Sequence, residues 1–223
     1  MATYKPELKC LPLPDLDIEN WIEIENAFAK SDKCVTGQAW LKEKHPDFRK
    51  AEIWVGWRPD ALYVYAKLED LDIFNDEKVF NAPSFTKGDV FEMFLRPSTQ
   101  DSYFEIHVTP FNQKFQLRIP EEDFFKKSAG KDKKQEMDLS VHDPIESRTR
   151  ILKDDRWEVL AILPFSLISE NEKVHEGSEW FFSFSRYDYY RKLKDPVHSS
   201  TSPHDILNFH RQEEWGKMIF TNA

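Results

Sequence analysis

"KGDVFEMFLRP", residues Lys87 to Pro97, decides how the chain is read. Side chains alternate across a β-strand, so Phe91, Met93 and Leu95 share one face while Val90, Glu92, Phe94 and Arg96 share the other. The alternation predicts a strand. It also places the carboxylate of Glu92 among apolar neighbours, and a carboxylate drawn away from water needs either a structural partner or a ligand.

The same period of two recurs on both sides of this stretch. "AEIWVGW" (51–57) and "ALYVYAKLED" (61–70) are separated by Arg58, Pro59 and Asp60, which is hairpin chemistry because Pro presets φ and Asp tolerates a turn. "YFEIHVT" (103–109) and "QKFQLRI" (113–119) extend the Glu92 strand into a meander. "RWEVLAILP" (156–164), "EWFFSFSRYDYY" (179–190) and "EWGKMIF" (214–220) form a third group. Helical pattern is confined to a turn or two at 18–27 and 164–172. Many short strands with little helix predict an all-β, two-sheet antiparallel sandwich whose alternate side chains fill the space between sheets. The inward set is Phe91, Met93, Phe104, Ile106, Val108, Phe115, Leu117, Val64 and Phe184. Trp21, Trp57, Trp157 and Trp215 read as core residues, because large aromatics mostly serve burial.

Composition supports one domain over 1–223: 18 Phe, 7 Tyr and 7 Trp supply material for one large core. Between Glu121 and Arg150 the chain turns charged and poor in aromatics, which predicts a mobile loop. The lysines of "KKSAGKDKK" (126–134) read as solvated loop. A net charge of -9 makes nucleic acid an unsuitable partner. The N-terminal twenty residues hold no apolar run of signal-peptide or membrane-spanning length, so the chain as given shows neither. Cys10 and Cys34 suit either one bridge in an oxidising compartment or two reduced structural thiols.

The face opposite the core carries the chemistry. Glu92, Tyr103, Glu105 and His107 share it if their strands are neighbours, as a solvated surface or as a ligand platform. Lys114, Gln116 and Arg118 are expected to join them. Arg186 is expected to pair with Glu92 or Glu105, or to present its planar fork to a ligand. Asp70, Asp72 and Asp76 lie in a turn-rich stretch and are calcium candidates without the glycine and terminal glutamate of an EF-hand loop. No other cofactor is called for.

The order of these motifs resembles the family 9 carbohydrate-binding modules and their DOMON-like relatives over nearly the whole chain. The likeness is carried by Asp89 and Glu92, by Glu158, Val159 and Pro164, and by Asn208 to His210 with Trp215 and Gly216. It implies an immunoglobulin-like β-sandwich that holds a saccharide between two aromatic rings. Phe85 and Phe209 stand nearest the clamp positions, both tryptophan in the family, and Glu92 and Asn208 would bond the sugar hydroxyls. Glu105 and His107 replace an arginine and an amide of the family pattern. The resemblance also implies an extracellular or periplasmic setting, if a signal peptide was trimmed, and association with glycan-processing enzymes.

Three functions follow as expectations. The first is a non-catalytic saccharide-binding module. The second is a haem-binding, DOMON-like electron carrier using His107 or another His plus a Met as axial ligands. The third is a glycoside-active enzyme using Glu92 and Glu105, although no catalytic motif is present.

Overall fold

A computed structural model describes residues 4–121, 124, 143–153 and 155–222. Strands run β1 (Glu7–Pro12), β2 (Lys33–Val35), β3 (Ala51–Arg58), β4 (Ala61–Glu69), β5 (Val90–Pro97), β6 (Tyr103–Val108), β7 (Lys114–Ile119), β8 (Glu146–Leu152), β9 (Arg156–Pro164), β10 (Glu179–Asp188), β11 (Val197–Ser200) and β12 (Gly216–Phe220). Among the described residues, α-helices with defined bounds are α1 (Trp21–Ala27), capped by the Asn20 side chain, and α2 (Phe165–Ile168), entered at Pro164. The chain is all-β.

The expected pair of separate antiparallel sheets is replaced by one curled, mixed sheet in the order β7-β6-β5-β10-β12-β1-β3-β4-β9-β8, with β11 beside β10 and β2 beside β3. Strand β1 is the reason. Its Glu7–Cys10 part pairs in parallel with β12, and Leu11 and Pro12 then pair in parallel with β3. A strand that changes partners midway turns a corner and joins what would otherwise be two edges. The two halves face each other across one core that unites Phe91, Met93, Phe104, Ile106 and Val108 with Val64, Trp157, Val159 and Phe184.

Phe115 and Leu117 do not join that core. Thr109 and Gln113 close a three-residue loop through backbone and Oγ1 hydrogen bonds, with Asn112 at φ 65°. This turn sets His107 opposite Phe115, Ile106 opposite Gln116 and Glu105 opposite Leu117. Opposed residues share a face, so one residue of register carries Phe115 and Leu117 outward and turns Gln116 inward. There the Gln116 Oε1 accepts the Ile145 N–H at 2.7 Å.

The outer face of the β3-β4-β9 half is covered by α1, with Ile24 and Phe28 on Tyr65 and Leu160. Trp157 and Trp215 are buried, whereas Trp21 and Trp57 are half-buried at the margins. Cys10 and Cys34 are free, buried thiols. Of the segment expected to be a mobile loop, residues 122, 123 and 125–142, including the lysine-rich run, lie outside the described residues. Its end is ordered instead, with Ile145 buried and Glu146 to Arg150 in β8. No described helix is long and apolar enough to cross a membrane.

Candidate functional site

The outer face of the other half is covered only in part. Glu92 and Phe94 of β5 lie opposite His107 and Glu105 of β6, and Tyr187 of β10 lies opposite His198 of β11. Segment 201–215 folds across this row. Its anchor is Glu214, whose carboxylate accepts two hydrogen bonds from Arg211 at 2.8 Å and lies 2.8 Å from His204 Nδ1. The Trp215 indole N–H donates to the Phe209 carbonyl at 2.8 Å, which fixes residues 206–210 over the sheet. Between cover and sheet is a cavity of about 540 Å³, lined by Phe85, Glu92, Phe94, Glu105, Tyr187, His198 and residues 206–210.

Phe85 forms the wall opposite the cover. It sits on a single 3-10 turn, Ser84–Thr86, and its carbonyl accepts the Tyr189 hydroxyl at 2.8 Å. Its ring packs on Tyr187, Phe115 and His107 with centroids 5.7 to 5.9 Å apart. Gly88 brings the chain from this turn into β5 at φ 142°, where a Cβ would lie 2.3 Å from the Phe74 carbonyl oxygen, so only glycine fits. Asp89 then accepts the backbone N–H groups of Phe74 and Tyr189, each at 2.7 Å, locking the loops on either side.

The floor is a carboxylate, imidazole, carboxylate cluster. His107 Nε2 lies 2.8 Å from Glu105 Oε1 and 3.1 Å from Glu92 Oε1, with all three side chains buried. Burial, reinforced by the charge of Glu105 and opposed by His107, pushes the Glu92 carboxyl up to about 8. Burial also acts on Glu105, but the hydrogen bond and charge of His107 outweigh it and hold that carboxyl low. His107 is likewise driven down by burial and up by the two carboxylates, with a net rise. The cluster therefore favours the ion pair of His107 with Glu105 and leaves Glu92 as the carboxyl that most readily keeps its proton. Burial lowers His198 to about 4 and also lowers His210, whose Nδ1 lies 2.8 Å from the Tyr103 hydroxyl. The ligand atoms of Glu92, Glu105 and His107 lie within 4.8 Å of one another, a spacing that would suit an ion, but the imidazole itself occupies the place between the carboxylates.

Of the residues singled out from sequence, Phe85, Glu92, Glu105, Asn208 and Phe209 meet at this cavity. Their states differ from a simple clamp. Phe209 is only 6% exposed, wedged among Trp40, Phe94, Tyr187 and His198, so it offers an edge of its ring rather than an open face. Asn208 is exposed and its Oδ1 accepts the His210 N–H, leaving the amide N–H₂ for a ligand. His107 lies beneath the lining, fully enclosed.

Arg186 is elsewhere. Its Cα partner in β5 is Phe91, so it projects to the inner side, where it pairs with Asp70 and Asp188 at 3.0 Å rather than with Glu92 or Glu105. The calcium candidates also separate: Asp70 is buried beside Arg186, Asp72 pairs with Arg191, and Asp76 is exposed. Asp70 instead converges with Asp89 and Asp188, where the Arg186 guanidinium already supplies the cation. Of the methionines among the described residues, Met93 faces the core from the strand whose outer face bears Glu92, and Met218 is also in that core, so neither meets His107; Met1 and Met137 lie outside the described residues.

Sequence reasoning missed Phe94, Tyr187, His198 and His210 as lining residues. Phe94 was within reach, since it shares the parity of Glu92. The others depend on β11 and on the path of the cover, neither of which has a local signature.

No protein-family model matches the chain, and no curated protein does. Solved structures do match its fold. A Bacteroides uniformis protein provisionally described as carbohydrate-binding aligns with a TM-score of 0.71 at 11% identity, covering 96% of this chain and 98% of that one. A family 9 carbohydrate-binding module from Caldicellulosiruptor kristjanssonii, solved with cellotriose, aligns with a TM-score of 0.65 at 14% identity over 98% of this chain and 95% of that one. A structure of a family 9 module from the same organism with glucose gives 0.63 at 13% identity over 99% and 97%. The chain thus has a fold like that of family 9 carbohydrate-binding modules.

Proposed function

We propose that the chain binds a saccharide in the cavity over β5, β6 and β10 and does not turn it over. The observation that carries this reading is the pairing of aromatic walls with a buried carboxylate–imidazole floor, on a fold shared with modules solved with glucose and cellotriose. A volume of about 540 Å³ suits a sugar of one to three residues. Ring edges and faces of Phe85, Phe94 and Tyr187 cover C–H surfaces, while Glu92, Glu105, Asn208 and the neutral imidazoles exchange hydrogen bonds with hydroxyls. Both carboxylates turn an oxygen onto the same imidazole instead of flanking a scissile bond, which speaks for binding over hydrolysis.

Phenylalanine platforms and a half-open rim place the affinity between about micromolar and millimolar. In this reading the two halves of the curled sheet serve as the layers of an immunoglobulin-like sandwich. An extracellular or periplasmic setting and attachment to glycan-processing enzymes complete the proposal. The test is a glycan array followed by calorimetry on each hit, with Phe85→Ala as control. No saccharide bound, or equal affinity in wild type and variant, would remove the site.

A further inference from the structure

The cavity is lined by two carboxylates, and among the described residues that line it there is no lysine or arginine. Glu92 is 2% exposed, and its one hydrogen-bond or ion-pair partner among the described residues is His107, reached through Oε1. His107 is also the closest partner of Glu105, whose other oxygen lies 3.7 Å from His210 Nε2, a ring that burial keeps from taking a proton. With all three groups ionised, a negative charge is left without a counter-charge in a place that water scarcely reaches. The walls add to this. Phe85, Phe94 and Tyr187 line the cavity beside the floor, and aromatic faces carry negative potential that attracts cations. A neutral hydroxyl can occupy a lone pair of Glu92 but cannot answer the charge; an ammonium group does both, with three donors on a compact cation.

From this lining we propose that the saccharide bears a free ammonium group, an amino sugar such as glucosamine or its oligomers, seated with the ammonium on Glu92. The inference rests on the saccharide reading above and narrows it to a class. It also fixes the proton balance. The carboxyl of Glu92 is protonated in the empty cavity, so the incoming ammonium forms an ion pair with the carboxylate and the carboxyl proton leaves to solvent.

The experiment is calorimetry at pH 7.5 with glucosamine, N-acetylglucosamine and glucose, repeated in two buffers of different ionisation enthalpy, on wild type and Glu92→Gln. Glucosamine is expected to bind at least tenfold more tightly than either neutral sugar and to release a fraction of a proton that the neutral sugars do not. In Glu92→Gln the preference for glucosamine over glucose falls below threefold and the proton release disappears. If the neutral sugars bind as tightly as glucosamine, the ammonium inference is refuted and the saccharide reading stands. If none of the three, nor their trimers at 10 mM, binds, both are refuted. Should the variant fail to fold, the wild-type ranking and proton count decide alone.

Discussion

Replacing Glu92 by Gln should stabilise the protein in alkaline solution. The glutamine amide keeps the shape of the carboxyl and mimics its protonated form, so it removes a charge that the fold resists. Burial raises the Glu92 carboxyl from 4.5 to about 8, so between those values the folded chain holds a proton that the unfolded chain has lost. Stability from this group is complete below pH 4.5 and is lost as pH rises through 8. A displacement from 4.5 to about 8 corresponds to about 5 kcal/mol if nothing relaxes. Water entering the open cavity and the neighbouring imidazolium reduce the cost of ionising Glu92, which leaves about 2–5 kcal/mol. His107, also raised, adds to the loss in the same direction. The assay is urea unfolding of wild type and Glu92→Gln at pH 6, 7, 8 and 9. Wild type is expected to lose up to about 3 kcal/mol from pH 6 to 9, the variant to lose less, and the two curves to cross so that the variant is the more stable at pH 9. Parallel curves, or a variant less stable than wild type at every pH, would refute the account of Glu92 as a strained ligand group and make it an ordinary structural ion-pair member.

Arg186→Ala should cost about 3–5 kcal/mol in chemical denaturation, because it strips the cation from Asp70 and Asp188 in the interior, yet leave saccharide affinity unchanged since the residue faces away from the cavity. Phe85→Ala should weaken binding about tenfold, roughly the worth of one stacked ring, with a thermal shift of only a few degrees because the ring is half-buried. His198 is held neutral down to about 4 against 6.5 when unfolded, so between these values the unfolded chain binds the extra proton and stability falls as the solution is acidified. That slope is worth up to about 3 kcal/mol, and a His198→Gln variant that still showed it would contradict the assignment. Gly88→Ala should destabilise by about 2–4 kcal/mol, since its Cβ would lie 2.3 Å from a backbone oxygen at φ 142°, and unchanged denaturation midpoints would count against the tight approach described.

The strands were legible because alternation is a local property: β3, β4, β5, β6, β9 and β10 each declare a face in their own residues, and the hairpin at Arg58 to Asp60 declares its turn. Glu92 stood out for the same reason, as a carboxylate out of step with its apolar neighbours. What alternation cannot give is which face of one strand meets which face of the next. That depends on turn closure, and the Thr109 to Gln113 loop set β7 one residue from the expected register, exchanging Phe115 and Leu117 with Gln116. Nor can it give partners distant in sequence. Arg186 found Asp70 and Asp188 because its parity follows Phe91, and β1 closed the sheet because half of it meets β12 and half meets β3. The cavity is decided latest of all. It exists because segment 201–215, fastened by Glu214 and Trp215, lies across a sheet face whose residues come from four other segments. The hydrogen bonds that fasten the segment lie within it, but its seat on the sheet depends on contacts such as that of His210 with Tyr103, 107 residues away, and no short window of sequence contains both sides of them.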